Sequence, residues 1–151
     1  MDTVIRPQGC THFKLRQLAR VVTRRYDAEL AQAGLKTSQY SLLTHVLRLG
    51  PLRPVDLARE MELTPSTLTR NLQPMVAAGW LELTEGADAR SRLVRITEAG
   101  RDKRSEAQRR WRAAQEALNA ELGVQRVAAL HALIDECMGR IAGPQGERHA
   151  R

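Results

Sequence analysis

The hydrophobic and polar positions between residues 54 and 77 follow the period of two short helices. The first is predicted over 54–61 and opens with Pro54, which suits a first helical turn because its missing N–H has no partner there anyway. Residues 62–64 interrupt the pattern, and Thr64 is a typical N-cap residue directly before Pro65. The second helix then gathers its apolar side chains on one face, in the order Leu68, Leu72, Met75 and Val76.

The opposite face of this second helix is polar. At about 100° per residue, Ser66, Thr69, Arg70 and Gln73 project away from the apolar stripe. Two short helices joined by a three-residue turn match helix-turn-helix geometry, whose second helix enters the major groove of DNA. Hydroxyl, guanidinium and amide groups are suited to base edges and phosphates. Taken alone, this helix could equally be an ordinary amphipathic surface helix.

A short hairpin is predicted directly after Gly79, which ends the helix as a C-cap residue would. Residues 80–84 and 93–96 alternate apolar and polar side chains, which indicates two strands around a polar loop. Arg90 near the loop tip is suited to the narrower minor groove, and Asp88 is placed to orient its guanidinium. A solvated hairpin is the alternative, but the unbroken order of helix, strand, loop, strand and helix favours a DNA-binding wing.

The terminal segments are predicted to be helices that need a partner. Residues 11–33 carry an apolar stripe, 98–122 are mostly charged with a thin apolar seam, and the stripe after Gly123 repeats at close to 3.5 residues. A homodimer in which the first and last helices interlock explains these faces, and an intrachain antiparallel pair is the alternative. The predicted domains are a helical dimerisation region (1–36 and 98–142), a DNA-binding domain (37–97) and a disordered tail (143–151).

Composition supports a small DNA-binding protein. The 151 residues allow one compact core, and the net charge of +7 suits a polyanionic partner. The two cysteines do not form a secreted disulfide framework, and the sequence has neither a signal peptide nor a long apolar run. These features predict a cytoplasmic protein. No phosphate-binding or nucleophile motif occurs, so an enzyme is not expected, and no cofactor is predicted.

Residues 10–142 resemble the MarR family of winged-helix transcriptional regulators. The resemblance lies in Gly34-Leu35, Gln39-Tyr40, Asp56-Leu57-Ala58, Thr67-Leu68-Thr69-Arg70, Gly79-Trp80-Leu81, Asp88-x-Arg90-Ser91-Arg92 and Ile96-Thr97-x-x-Gly100. It implies a mainly α fold with a small β-wing, a winged helix-turn-helix, and dimerisation through the N- and C-terminal helices. The predicted DNA-binding residues are Pro65, Ser66, Thr67, Thr69, Arg70, Gln73, Asp88, Arg90, Ser91 and Arg92.

The resemblance also implies a sensor, for which the residues leave two readings open. His12, Arg16, Tyr26 and Tyr40 could present a cation and two phenol groups to an aromatic or phenolic acid. Cys10 lies near the reactive thiol of the peroxide-sensing branch, but alignment places His12 at that position, and a two-residue offset turns Cys10 about 200° around a helix. Cys137 is expected to be a small core residue. The four histidines lack metal-site spacing, so no metal site is predicted.

The sequence therefore predicts a DNA-binding repressor. It is expected to bind a pseudo-palindromic operator as a homodimer and to be released by a small-molecule effector. A thiol-based peroxide sensor and a nonspecific architectural DNA-binding protein remain alternatives. A recognition helix of hydroxyls, Arg70 and Gln73 disfavours the architectural protein, because charge alone would be supplied by Lys and Arg.

Overall fold

The computed structural model describes residues 5–88 and 90–142, of which most are helical. The described elements are α1 (Thr11–Leu30), a 3₁₀ turn (Ala31–Ala33), α2 (Thr37–Leu49), α3 (Pro54–Glu60), α4 (Pro65–Ala77), β1 (Leu81–Glu85), β2 (Arg92–Ile96), α5 (Glu98–Leu122) and α6 (Val124–Ala142). Two compact units are present, one ending at Arg112 and the other beginning at Ala113. The predicted tail at 143–151 lies outside the described residues.

The core of the first unit is built from the winged helix-turn-helix. Val94 at the centre of β2 is fully buried, and its backbone also pairs with Leu52, the residue that joins α2 to α3. The strands β1 and β2 are antiparallel, with Leu81 opposite Ile96 and Leu83 opposite Val94. The helices contribute the rest of the apolar interior: Leu42, Leu43, Val46, Leu57, Ala58, Leu68, Leu72 and Met75. Helix α4 is thus held against the strands by its apolar face.

The segment predicted as one helix over 11–33 is an α-helix that ends in a 3₁₀ turn. Helix α1 stops at Leu30, the 3₁₀ turn follows, and Gly34 adopts a left-handed conformation with φ of 73°. Leu35 then donates its N–H to the carbonyl of Leu30 at 3.1 Å, which satisfies an acceptor at the helix end. Asp27 of α1 accepts hydrogen bonds from the backbone N–H and the hydroxyl of Thr37, at 2.7 and 2.5 Å. The carboxylate thereby caps the start of α2 from the preceding helix.

Several large apolar side chains of α1 remain exposed to solvent. Phe13 and Leu15 are 62% and 58% exposed, whereas Leu30 at the other end of the helix is fully buried. Leu18 and Val21 are also exposed. The predicted apolar stripe of this segment is therefore covered only towards its C-terminal end in the single chain.

The second unit contains the end of α5 and the whole of α6. Gly123 separates the two helices at φ of 86°, a left-handed conformation that glycine adopts without strain. Val127 is buried, but the later apolar residues of α6 are exposed: Leu133, Ile134, Met138 and Ile141. Cys137, expected in a core, is exposed in the single chain. No helix within the described ranges is long and apolar enough to cross a membrane.

Candidate nucleic-acid interface

The start of α4 is fixed by the side chain of Thr64. Its hydroxyl accepts a hydrogen bond from the backbone N–H of Thr67 at 3.2 Å and donates one to the Thr67 hydroxyl at 2.8 Å. The Ser66 hydroxyl lies 3.3 Å from the same oxygen. The predicted N-cap is therefore present. It leaves Pro65 and Ser66 exposed at the entry to the helix.

Helix α4 separates an apolar face from a polar one. Leu68 and Met75 are buried, whereas Thr69, Arg70 and Gln73 are exposed. The Thr69 hydroxyl donates to the carbonyl of Pro65 at 2.9 Å, so its donor is occupied within the helix. Within the described part of the chain, the guanidinium of Arg70 has no carboxylate partner. Its donors are thus available to a nucleic acid.

The helix before the turn is held by an ion-pair arrangement that the sequence analysis did not identify. Asp56 accepts from Nε of Arg53 at 2.8 Å and from Nη1 of Arg59 at 3.3 Å. The hydrogen bond from Arg53 is the largest cause that lowers the pKa of the Asp56 carboxyl group. The spacing of three residues on each side of Asp56 was the available signal, since such residues are neighbours on a helix. These ion pairs join residues at the start and end of α3 and involve no residue of α4.

The base of the wing is closed by Thr97. Its hydroxyl donates to the carbonyl of Gly79 at 2.6 Å and accepts the N–H of Gly100 at 3.0 Å. A Cβ atom at Gly100 would lie 2.0 Å from the carbonyl oxygen of Trp80, so only glycine allows α5 to pass this close. The Ile96-Thr97-x-x-Gly100 sequence therefore connects the end of α4 to the end of β2.

The wing loop is organised by Asp88 through the backbone. The carboxylate accepts the N–H groups of Ser91 at 2.8 Å and Arg90 at 3.1 Å. These hydrogen bonds, that from Ser91 first, lower the pKa of Asp88. From the sequence, this carboxylate was expected to orient the guanidinium of Arg90. Its observed partners are backbone groups because an Asx-type turn places the following N–H groups within reach.

The polar residues at the wing tip have different environments. Arg90 and Arg92 are exposed, and neither guanidinium has a carboxylate partner within the residues that the structure describes. Ser91 is half-buried, because its hydroxyl donates to the carbonyl of Asp88 at 3.2 Å. Two cationic side chains therefore extend from a loop whose backbone is held in place.

The four residues predicted to bind an effector separate into two groups. Tyr26 and Tyr40 both lie against the ring of Trp111, with ring centroids 6.2 and 6.4 Å from it. Burial raises the pKa of the Tyr26 phenol. His12 and Arg16 are exposed on α1, and the groove that Arg16 lines does not include either tyrosine.

Trp111 and the positive charge beside Tyr40 were not identified as site residues from the sequence. The guanidinium carbon of Arg104 lies 5.9 Å from the centroid of the Tyr40 ring, and Nη1 donates to Gln108 at 3.1 Å. Trp111 was predicted only as part of a seam on α5, since helical periodicity shows which face is apolar and not what it meets. The half-buried tyrosines therefore share a cluster with an indole and a cation.

Cys10 and His45 lie in separate parts of the described structure. Cys10 is exposed at the N-cap position of α1, where its side chain makes no capping hydrogen bond. His45 is half-buried, with Nδ1 2.8 Å from the carbonyl oxygen of Ser41. Within residues 5–88 and 90–142, no three His, Cys, Asp or Glu side chains lie close enough together to hold a metal ion.

Two sequence comparisons point to transcriptional regulators. A model of the MarR family matches residues 33–91. The uncharacterized HTH-type transcriptional regulator YwoH of Bacillus subtilis (strain 168) is 27% identical over 93 residues, which are 62% of this chain and 68% of that protein. The matched family region includes α4 and nearly the whole wing loop.

Solved structures extend the similarity to most of the chain. The M. tuberculosis transcriptional regulator MosR, solved in complex with DNA, is 30% identical with a TM-score of 0.67, and the match covers 85% of this chain and 98% of MosR. A MarR variant from E. coli, complexed with operator DNA, is 21% identical with a TM-score of 0.76 over 83% of this chain and 91% of that protein. The second match shows the fold alone, whereas the first also carries sequence similarity.

Proposed function

The chain belongs to the MarR family of winged-helix transcriptional regulators, and we propose that it represses transcription from a specific operator. In this proposal a homodimer binds a pseudo-palindromic DNA site, and a small-molecule effector releases it. The observation that carries the proposal is the free polar face of α4 beside a cationic wing. Arg70, Arg90 and Arg92 are all exposed, and none has a carboxylate partner among the described residues.

The two cationic elements are suited to different grooves. Helix α4 begins at a capped, exposed N-terminus and carries Arg70 and Gln73 outwards, as a recognition helix in a major groove requires. Arg90 leaves a short loop and is suited to a minor groove, where the negative potential is strongest if the groove is narrow. MosR and the MarR variant were both solved with DNA, which supports assigning these surfaces to DNA.

Dimerisation is proposed from the exposed apolar residues of the terminal helices. Phe13 and Leu15 of α1 and Leu133 and Ile141 of α6 are all more than half exposed. Groups of this kind on a soluble protein mark surfaces that another molecule covers. A two-fold symmetric dimer requires two similar half-sites, about one helical turn or roughly 10 bp apart.

The proposed effector is an aromatic or phenolic acid. Tyr26 and Tyr40 offer two phenol groups around Trp111, and His12 and Arg16 offer cations on α1. An effector lowers operator affinity if it binds more tightly to a conformation that does not fit DNA. Because the structure separates the tyrosines from Arg16, ligand contact with all four residues requires either a large ligand or a second chain.

Arg70→Ala tests the proposed reading of DNA sequence. If Arg70 contacts a base, its loss should cost about 1–3 kcal/mol of operator binding and reduce the preference for operator over scrambled DNA. Fluorescence anisotropy at fixed salt with both DNAs measures this. Arg112→Ala, which removes an exposed arginine of α5, is the control and should change neither value. Equal weakening of Arg70→Ala on both DNAs would favour the nonspecific architectural protein.

A further inference from the structure

One face of α1 carries a groove whose charged side chains, among the residues that the structure describes, are all arginines. The groove has a volume of about 590 Å³ and is lined by Arg16, Ala19, Arg20, Thr23 and Arg24. The arginines are spaced by four residues, so their Cα atoms rise about 6 Å from one to the next along the helix. Cavities of a few hundred Å³ are typical of sites for small organic ligands.

The three guanidinium groups lack compensating charge. In the part of the chain that the structure describes, none of Arg16, Arg20 and Arg24 forms an ion pair, and all three are exposed. Like charges four residues apart on a helix repel one another. The arrangement is therefore unfavourable for α1 by itself and becomes favourable when an anion lies between the side chains.

Some other arginines of the chain form ion pairs with nearby carboxylates. Arg53 and Arg59 pair with Asp56, and Arg95 pairs with Glu82 across the hairpin. A second groove, of about 420 Å³ on α5, is lined by Arg109 and Arg110 together with the carboxylate of Glu106. The α1 groove differs because none of its described lining residues is acidic.

The lining chemistry suits oxygen anions. A guanidinium group presents planar pairs of N–H donors that match the oxygens of a phosphate or carboxylate. Thr23 adds a hydroxyl, and Ala19 leaves the floor of the groove open because its side chain is small. We propose that the groove lined by Arg16, Arg20 and Arg24 binds a small organic polyanion that carries phosphate-ester or polycarboxylate groups.

The polyanion is a ligand class additional to the aromatic or phenolic acid proposed above, and only its regulatory role depends on the proposed function. Asp27 lies one turn beyond Thr23 and caps α2 through Thr37, so α1 is joined to a helix that packs in the DNA-reading core. A polyanion that prefers one position of α1 would shift the protein between conformations with different operator affinity.

The test uses the full-length protein with tripolyphosphate and citrate as probes. Isothermal titration calorimetry at constant ionic strength, adjusted with sodium chloride, compares wild type with Arg20→Gln/Arg24→Gln. The matched control is Arg109→Gln/Arg110→Gln, which removes the same charge from the acid-containing groove of α5. We expect saturable binding by wild type and by the control, and a loss of affinity of at least about tenfold in Arg20→Gln/Arg24→Gln.

Several results would overturn the proposal. Absence of saturable binding by wild type would do so, as would an equal loss in both double variants, because that reports general counterion association. Dissociation of a dimer specifically in Arg20→Gln/Arg24→Gln, measured by sedimentation, would assign the arginines to acidic groups of a second copy.

Operator binding without probe separates this proposal from the proposed function. Operator affinity should be unchanged in both double variants, and tripolyphosphate should release operator from wild type but not from Arg20→Gln/Arg24→Gln. Loss of operator affinity in that variant would make the groove a DNA contact and overturn the polyanion site. Failure of wild type to prefer operator DNA, with polyanion binding intact, would contradict the proposed function alone.

Discussion

Helices α4 and α6 carry similar apolar stripes but differ in how far a single chain buries them. In α4, Leu68 and Met75 are at most 1% exposed, because α2, α3 and the hairpin surround that face. In α6, Ile134 is 44% exposed and Ile141 is 86% exposed. A similar apolar stripe is therefore buried in the core in α4 and remains exposed to solvent in α6.

The difference indicates how the two regions serve a regulator of this kind. The winged helix-turn-helix is held in place by contacts within one chain, so the position of the polar face of α4 does not depend on a partner. The terminal helices keep apolar groups available for another molecule, which we expect to be a second copy. If α4 and the wing contact DNA as we propose, their surface is preorganised for binding, and we expect association to depend on the terminal helices.

The largest expected effect comes from truncating a side chain on the buried face of α4. Leu68→Ala removes a fully buried side chain and should lower the free energy of unfolding by about 2–5 kcal/mol, through lost burial and a residual cavity. Urea unfolding followed by circular dichroism measures the change. Val55→Ala, at a 48% exposed position of α3, is the matched truncation and should cost less than about 1 kcal/mol. Equal costs would show that the core is not centred on α4.

The exposed apolar face of α6 is tested by placing a charge on it. Ile134→Asp should destabilise a dimer by about 2–4 kcal/mol, since a buried interface does not tolerate an unpaired carboxylate. Sedimentation velocity at several concentrations measures this, and circular dichroism should show intact helices. Gln125→Asp, at an exposed polar position near the start of α6, is the control. Unchanged association in Ile134→Asp would exclude this face as the interface.

Arg90→Ala tests whether the wing belongs to the reading surface. We expect operator affinity to fall by about 1–3 kcal/mol while the free energy of unfolding changes by less than about 0.5 kcal/mol, since an exposed loop arginine supports little of the fold. Anisotropy and thermal unfolding provide the two measurements. Operator affinity equal to that of wild type would remove the wing from the proposed interface.

The smallest effect is expected from the pH dependence of the wing. Asp88 has a lowered pKa because it accepts backbone N–H groups, so its contribution is present above the ordinary carboxyl pKa and is lost as pH falls through the lowered value. Asp88 therefore stays ionised from neutral pH down to the ordinary Asp pKa. Over that range, we expect it to cause no change in operator affinity. Asp88→Asn should weaken operator binding already at neutral pH, but less than Arg90→Ala. A milder defect in Arg90→Ala than in Asp88→Asn would reverse this ranking.

Local sequence was sufficient to predict the elements of the reading region. Pro54, Thr64-Pro65 and Gly79 marked helix starts and an end because capping and proline geometry depend on only a few adjacent residues. The first strand lies one residue later than predicted and the second begins one residue earlier, which reflects how weakly alternation defines a boundary. The inner and outer faces of α4 followed directly from the 3.6-residue period.

The sequence by itself thus determined the mainly helical fold with its wing, the polar face of α4 and the family. Tertiary structure decided which groups meet across long separations: Trp111 with Tyr26 and Tyr40, Thr97 with Gly79, and Asp27 with Thr37. It also decided that Asp88 accepts hydrogen bonds from backbone N–H groups, and that Arg16, Arg20 and Arg24 share one groove without forming an ion pair to any described residue. Periodicity and capping depend on the nearest few residues, whereas contact partners depend on how distant segments pack, which no local pattern specifies.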